Sequence, residues 1–304
     1  HSKKYFKVKN MNTIWNKFKD ILELVVFKHS IFALPFLFSS MIVASKLVND
    51  SAWFGFKALI LGIICAVSAR NFAMATNRLM DEDIDKDNPR CANRPNVSGK
   101  IGRKSVWIFI ILNAIIFILC SYFINTLAFY LSFPVLFVLA IYSAFKRFSS
   151  LAHLVLGFCL GLAPIAGSVI VMGEIHIYSV ILCLGVTFWT AGFDLLYSLQ
   201  DMEYDKKVGL HSIPAKFGSK ATLFISAFCH VLAVLFWLLF VWQVWGVALG
   251  NIALFGVIIS GIILAFEHKI VHKNFAHIDK AFFTLNGYLS IIFFIFIWVD
   301  LVWK

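Results

Sequence analysis

The chain has 304 residues, of which 61% are hydrophobic and only 14% are charged, against about 25% charged residues in an ordinary soluble domain. A mean hydropathy of +0.85, spread over repeated long apolar runs, predicts an all-α polytopic membrane protein and excludes a soluble enzyme. The net charge of +11 would suit a nucleic-acid-binding protein, but the basic residues gather in alternate loops, which is a signal of membrane topology. We therefore expect the lipid bilayer as a partner and no nucleic acid.

The first 30 residues form a basic amphipathic segment. Between positions 15 and 27, apolar residues occur at helical spacing among Lys17, Lys19, Asp20 and Glu23. A helix with this pattern lies in the plane of a membrane interface, so we expect it along the inner membrane surface. No polar linker separates two cores further on, and residues 1–304 are expected to form a single membrane-embedded domain.

Nine apolar runs follow, each near the length of about 20 residues that a transmembrane helix needs. They cover residues 31–48, 55–76, 106–124, 126–143, 151–172, 177–197, 222–241, 246–266 and 281–301. The N-terminal segment and every second loop hold 23 of the 27 Lys and Arg residues. By the positive-inside rule, we expect an integral inner or plasma membrane protein with the N-terminus and the basic loops in the cytoplasm and the C-terminus outside.

The second apolar run ends in a row of polar side chains. Asn77, Asp81 and Asp85 are spaced i, i+4, i+8, which keeps them on one face of a helix. Oxygen ligands of this kind suit a hard divalent cation such as Mg²⁺. A solvated acidic helix end would have the same pattern, so the row is not decisive alone.

A second row follows the sixth run. Asp194, Asp201 and Asp205 are separated by steps of seven and four and share one helix face, with Tyr197 between them. Two rows of carboxylates at the membrane edge would repel each other unless cations lay between them. Acidic groups at a membrane are costly and usually functional. The two rows together predict a shared metal–phosphate site on the cytoplasmic side.

Basic residues near the rows are candidates for substrate binding. Arg90 and Arg94, in a loop stiffened by two prolines, can each form paired hydrogen bonds with phosphate oxygens. Lys146 and Arg147 follow Tyr142 and can neutralise a diphosphate or hold a substrate carboxylate; they are equally compatible with topology charges. The sequence alone does not decide between a substrate-binding role and a topology role for these basic residues.

Two further groups of polar residues have different interpretations. Arg70 lies seven residues before Asn77 on the same helix face, and an arginine in a span needs a partner, which favours an ion pair or a substrate role. His268, His272 and His277 lie near Glu267 and Asp279. The spacing of this second group is loose and its surroundings are basic, so we expect a solvated loop rather than a metal site.

These residues together resemble a known family. The first motif of the UbiA superfamily of intramembrane aromatic prenyltransferases is similar to Asn77-x3-Asp81-x3-Asp85, Asn88-Pro89-Arg90 and Ala92-Asn93-Arg94-Pro95. Its second motif is similar to Gly192-Phe193-Asp194, Tyr197-x3-Asp201-x3-Asp205, Lys207-x-Gly209 and Ser212-Ile213-Pro214. The segment from Tyr142 to Arg147 resembles the basic loop after the fourth helix. The likeness runs from about Lys28 to the C-terminus.

The resemblance implies nine helices around a central cavity, capped by the two motif loops on the cytoplasmic side. It implies an Mg²⁺-dependent transfer of a polyprenyl group from a polyprenyl diphosphate to a ring carbon of an aromatic acid in ubiquinone or menaquinone biosynthesis. The metal ligands would be Asn77, Asp81, Asp85, Asp201 and Asp205. The catalytic residues would be Asp81, Asp85, Asp201, Asp205 and Asp194, and either Asp194 or one of the motif aspartates would help to hold the acceptor or take up a proton. The substrate-binding residues would be Asn77, Arg70, Arg90, Arg94, Lys146, Arg147, Tyr142, Tyr197 and Lys207.

One departure from the family pattern bears on the acceptor. Arg78 stands where many members carry Asp, and Asp83 can compensate only if the chain is not helical there. The Asn-Arg form is similar to a subgroup that resembles 4-hydroxybenzoate polyprenyltransferases and includes enzymes prenylating a dihydroxynaphthoate. A haem, chlorophyllide or glycerol type of acceptor is the alternative within the family. A cation transporter is the alternative outside it, although a transporter would place its acids near the middle of the bilayer.

Overall fold

The computed structural model describes residues 16, 19–25, 32–273, 278 and 281–303, which are helical or in turns and loops and include no β-strand. The main helices, in chain order, are α1 (Leu34–Asn49), α2 (Phe56–Met80), α3 (Arg103–Ile124), α4 (Thr126–Ile141), α5 (Ala152–Met172), α6 (Ile177–Ser198), α7 (Ile213–Gln243), α8 (Asn251–Lys273) and α9 (Asn286–Trp303). Eight helices in this part of the chain are long and apolar enough to cross a membrane, and α1, with 16 residues, is apolar but shorter.

The helical fold class is confirmed, and each predicted apolar run coincides with one of the helices α1 to α9. The largest difference in bounds is at α7, which begins at Ile213 rather than near position 222. Its first turns are set off by a kink at Gly218, where φ is +80°, a value that glycine adopts without strain. That all nine runs cross the bilayer stays a prediction.

Helix α6 lies in the middle of the bundle, packed most extensively against α5 and α7. Glycines allow this close approach, because a Cβ atom on Gly157 of α5 would lie only 2.2 Å from the carbonyl oxygen of Thr187 in α6. On the other side, a Cβ atom on Gly192 would lie 2.2 Å from the ring of His230 in α7. Small residues at such crossings are typical of membrane helix bundles, in which packing holds the helices together.

An aromatic core joins α1, α6, α7 and α9. The ring of Phe36 lies 4.9 Å from that of Phe293, 5.1 Å from that of Trp189 and 5.8 Å from that of Trp237, centroid to centroid. All four side chains are almost fully buried. Ring pairs at these distances add to the burial of apolar area, so this half of the bundle is a rigid support for α6.

The N-terminal segment docks onto the bundle. Residues 19–24 are helical, and Leu24 and Val25 are each 1% exposed, packed in a cluster with residues of α2, α3 and α4. The carbonyl oxygens of Leu24 and Val25 accept hydrogen bonds from Arg78 Nε and Arg70 Nη1, at 3.2 and 3.3 Å. The rest of the predicted amphipathic helix, residues 15, 17, 18, 26 and 27, lies outside the described residues.

The expectation of a solvated loop around Glu267 and His268 is wrong. Both residues lie in α8, which continues to Lys273. Glu267 is 1% exposed and accepts a hydrogen bond of 2.8 Å from Asn286 Nδ2, while His268 Nε2 lies 2.9 Å from His230 Nδ1. Helices α7 and α9 cover this face of α8, which the basic residues nearby did not indicate. His272, also in α8, is exposed, and the remaining two members of the group, at positions 277 and 279, lie outside the described residues.

The close contact of α5 and α6 predicts the effect of one methyl group. Gly157→Ala should destabilise the protein by about 1–3 kcal/mol, because overpacking a backbone contact forces the helices apart despite the better helix propensity of alanine. Thermal unfolding in detergent measures the loss. Gly102→Ala is the matched control, since nothing lies within 4 Å of the Cβ position there. Equal melting temperatures for the two variants would contradict the close approach.

The predicted membrane topology can be tested by labelling loops from either side of the membrane. Cysteines at the exposed positions Glu174 and Lys206 should react with a membrane-impermeant maleimide from opposite sides, because the positive-inside rule predicts a cytoplasmic location for the basic loop at 206–220 alone. Intact cells and inverted vesicles provide the comparison, with the parent protein measuring the background of native cysteines. Labelling of both positions from one side would contradict the topology.

Candidate active site

A polar cavity of about 150 Å³ lies where α2, α4 and α6 end at the same side of the bundle. Its walls are Asn77, Asp81, Ile84, Asp85, Asn88, Arg90, Cys91, Arg94, Lys146, Asp201, Tyr204, Asp205 and Leu210. All five predicted metal ligands line this cavity: the amide of Asn77 and the carboxylates of Asp81, Asp85, Asp201 and Asp205. The structure therefore brings residues of both motifs together.

The first row keeps its helical register although α2 ends at Met80. The backbone N–H of Asp81 donates to the Asn77 carbonyl oxygen at 2.9 Å, and the N–H of Asp85 donates to the Asp81 carbonyl oxygen at 2.8 Å. These i to i+4 bonds carry the same face through the one-turn helix Glu82–Asp85. Asn77 Nδ2 also donates to Asp81 Oδ2 at 2.9 Å, which orients that carboxylate.

The second row is formed after α6 by a short turn, Leu199–Asp201, and the helix Met202–Val208. Asp201 and Asp205, four residues apart, face the cavity, and Ser212 Oγ donates to Asp205 Oδ2 at 2.6 Å. Asp194 does not line the cavity. It lies within α6, where His153 Nδ1 is 2.7 Å from its Oδ2 atom.

Hydrogen bonds join the two rows directly. The Tyr204 hydroxyl donates to the Ile84 carbonyl oxygen at 2.6 Å, and Asn88 Nδ2 lies 3.4 Å from Asp201 Oδ1. Arg90 donates from Nε to Asp201 Oδ1 at 2.9 Å and from Nη1 to the Tyr197 hydroxyl at 2.9 Å. The loop after the first row is therefore tied to the second, and the cavity has a defined shape.

Three cations compensate the carboxylates. Lys146 Nζ lies 2.6 Å from Asp81 Oδ2, Arg94 pairs with Asp85, and Arg90 forms a two-point ion pair with Asp201. Burial raises the pKa of Asp81, and the ammonium of Lys146 opposes that rise. Asp81 and Asp85 are only 2% and 4% exposed, so neither charge is tolerable without a partner.

The donor set fits Mg²⁺. The metal prefers carboxylate and amide oxygens together with phosphate and water, and the two rows offer four carboxylates and one amide oxygen. Asp81 Oδ1 is buried and has no hydrogen-bond partner in the described part of the chain. A buried carboxylate oxygen without a partner is costly, and a cation in the cavity would satisfy it.

The model of the UbiA prenyltransferase family matches residues 33–298, which include both acidic rows. The chain belongs to this family. Among curated proteins it is similar to a 4-hydroxybenzoate octaprenyltransferase of Francisella tularensis subsp. novicida, with 29% identity over 191 residues. That match covers 62% of this chain and 65% of the Francisella protein, just under two thirds of the relative's length. A protein of the same name from Dechloromonas aromatica is 30% identical over 157 residues, 51% of this chain and 53% of its own.

Solved UbiA homologues share the fold. The apo structure of a homologue from Aeropyrum pernix K1 has a TM-score of 0.79 and 30% identity, covering 90% of this chain and 98% of that one. A homologue from Archaeoglobus fulgidus, solved with GPP and Mg²⁺, has a TM-score of 0.66, covering 93% of this chain and 99% of that one. At 19% identity, the second likeness shows the fold alone.

Other residues predicted for this UbiA-family site lie around the cavity rather than in its walls. Arg147 is at the rim, where Nη2 donates to Met80 O at 2.6 Å and to Asp83 Oδ1 at 2.7 Å. Tyr142 is buried behind the first row, in the same cluster as Leu24. Lys207 is exposed on the helix Met202–Val208 and is not part of the cavity wall.

Arg78, which stands where many UbiA-family members carry Asp, does not enter the cavity. Its buried side chain turns away to the N-terminal segment, where Nε donates to Leu24 O. Asp83 does not replace the missing carboxylate, because residues 82–85 are helical and its side chain points outward, 66% exposed, to Arg147. That hydrogen bond holds the pKa of Asp83 below its usual value. The first row therefore has two carboxylates and one amide.

Sequence reasoning missed three residues of this site region. Asn88 and Tyr204 line the cavity and connect the rows, and Asn88 lies within a motif segment that the resemblance had already marked. His153 pairs with Asp194 across two helices. A single histidine at the start of an apolar run has no local signal, so only the packing of α5 on α6 reveals it.

Asp83 and Asp85 form a matched pair for testing the cavity. Asp85→Asn should weaken binding of Mn²⁺ with inorganic pyrophosphate by about tenfold or more, because a ligand charge is lost. Asp83→Asn should leave binding unchanged, since its exposed ion pair contributes little. Electron paramagnetic resonance of free Mn²⁺ measures both. Equal losses in the two variants would show that the metal does not select the inner face of the row.

Proposed function

We propose that the chain is an Mg²⁺-dependent prenyltransferase that moves a polyprenyl group from a polyprenyl diphosphate to a ring carbon of an aromatic carboxylate. The acceptor is of the 4-hydroxybenzoate or dihydroxynaphthoate type, and the product is an intermediate of quinone biosynthesis. The observation that carries the proposal is the cavity in which two acidic rows face each other among Arg90, Arg94 and Lys146. A cavity lined by both acidic and basic side chains suits a ligand that is a metal ion paired with an anion.

In this proposal the acidic side chains hold the metal and the basic side chains hold the diphosphate. Asp81, Asp85, Asp201 and Asp205, with Asn77, are the proposed metal ligands. Bound there, Mg²⁺ supplies positive charge to the leaving diphosphate. The carboxylates then no longer need their internal cations, so Arg90, Arg94 and Lys146 become free to donate to phosphate oxygens. This exchange keeps the buried charges balanced before and after substrate binding.

The chemistry needs few further groups. The allylic C–O bond breaks and its electron pair leaves with the diphosphate, whose charge the cations stabilise. An electron-rich ring carbon of the acceptor then attacks the allylic cation and loses its proton. Protein groups fill the space around the cation and keep water from it. Arg147, at the rim, and the exposed Lys207 attract the diphosphate, and Tyr197 holds Arg90 in place.

The acceptor lies deeper than the diphosphate in this proposal. Arg70 is two helical turns, about 10 Å, below Asn77 on the same helix, and is the proposed partner of the acceptor carboxylate, with Tyr142 nearby. The names of the Francisella and Dechloromonas relatives support an aromatic acid. They favour it over a haem, chlorophyllide or glycerol type of acceptor.

Binding and turnover test the proposal together. Mg²⁺ with a prenyl diphosphate should raise the melting temperature more than either alone, because each completes the other's coordination. Asp81→Asn and Asp201→Asn should each remove this gain and abolish transfer of a labelled prenyl group to a panel of aromatic acids. The double variant should be no worse, since the rows act as one unit.

Glu203→Gln is the control for the second row, since its exposed side chain pairs with Lys206, outside the cavity. It should keep both the thermal gain and the transfer activity. Near-normal turnover of Asp201→Asn beside an inactive Asp81→Asn would show that the second row is structural and that the shared site is wrong.

A further inference from the structure

The pair of His153 and Asp194 is not used by the metal cavity. His153 lies in the first turn of α5, and its side chain is 7% exposed, while the Asp194 side chain on α6 is 22% exposed. The carboxylate Oδ2 atom is engaged by the imidazole at 2.7 Å. Burying an ionisable pair within a membrane helix bundle costs free energy, and such residues are usually functional.

The fold holds the pair rigidly. Gly157, one turn after His153, lets α5 touch the backbone of α6 at Thr187 and Ala191. That contact sets the distance between the two helices, so His153 meets Asp194, which is three residues beyond Ala191. Both side chains therefore project from helices that are in direct backbone contact.

The hydrogen-bond pattern favours one tautomer of His153. Its Nε2 atom is buried and has no partner among the described residues. A proton on Nε2 would therefore lack an acceptor, whereas a proton on Nδ1 is donated to Asp194. The imidazole thus acts as a fixed donor to one carboxylate oxygen and leaves the other oxygen available.

Asp194 lies at the depth proposed for the acceptor. It is seven residues before Asp201, which puts it on the same face of the chain about 10 Å further into the bundle. Tyr197, between them, ties this face to Arg90. Arg70 stands at a corresponding depth below Asn77 on the opposite row. The mostly buried carboxylate therefore lies below the position proposed for the diphosphate, beside the space proposed for the aromatic ring.

We propose that His153 is a positioning residue that holds Asp194 as the proton acceptor of the prenyl transfer. This inference rests on the proposed function. A C–C bond forms between the ring carbon and the allylic carbon, and the diphosphate leaves with the electron pair of the C–O bond. The ring C–H bond then breaks, its electrons restore the aromatic ring, and the proton moves to the free oxygen of Asp194. Water takes the proton from Asp194 after product release.

Two substitutions of His153 separate positioning from packing. His153→Leu fills the space without a donor, whereas the side-chain amide of His153→Asn puts an N–H where the imidazole has Nδ1–H. Loss of a positioned base costs roughly 10²–10⁴-fold, and loss of its orientation alone should lower kcat by about tenfold or more. The KM for the prenyl diphosphate should not change. His153→Asn should restore kcat to within a few-fold of wild type.

An isotope effect identifies the affected step. With an acceptor deuterated at the ring carbon that is attacked, His153→Leu should show a larger primary kinetic isotope effect than wild type, because proton removal becomes slower than bond formation. Asp194→Asn, which still accepts the imidazole N–H but cannot take up the proton, should show the same change. If His153→Leu does not fold, Asp194→Asn gives the decisive isotope effect. An unchanged isotope effect, or equal rates for the leucine and asparagine variants, would overturn the inference.

The outcomes also separate this inference from the proposed function. If the wild-type protein prenylates an aromatic acid and His153→Leu matches its kcat and isotope effect, only the role of His153 is wrong. If the wild-type protein with Mg²⁺ and a prenyl diphosphate prenylates no member of the acceptor panel, both the function and the role of His153 are overturned.

Discussion

Charge compensation in a polar cavity is the constraint on which the structure depends. Asp81 and Asp85 are nearly inaccessible to water, and Asp201 and Asp205 face them across the same space. Buried carboxylates in such numbers are stable only with cations beside them. The protein provides them from separate loops, and the same ion pairs that balance the charge also tie the loops over the cavity.

Precise placement of the second acidic row depends on the transmembrane bundle. Helix α6 is packed on both sides through glycines, with Gly157 of α5 and its own Gly192 allowing backbone contact. An aromatic core centred on Phe36 and Trp189 supports it from behind. A helix held in this way cannot rotate, so the residues that follow it enter the cavity in a fixed orientation.

Arg78, which stands where many family members carry Asp, is accommodated by a hydrogen bond outside the cavity. Its buried guanidinium donates a hydrogen bond to the carbonyl oxygen of Leu24, and the guanidinium of Arg70 donates one to the carbonyl oxygen of Val25. Both cations thus satisfy the end of the N-terminal helix, where carbonyl groups lack partners. The first row has one carboxylate fewer as a result, and the cavity is correspondingly less negative.

The sequence by itself determined the helices, the membrane class and the two rows, because run length, charge asymmetry and i, i+4 spacing are local properties. Only the tertiary structure decided the partners. Lys146 meets Asp81 across 65 residues and Arg90 meets Asp201 across 111. The burial of Glu267 and the pairing of His153 with Asp194 likewise depend on helix packing. A local pattern defines a face of a helix, but which other helix covers that face depends on side-chain fit throughout the bundle.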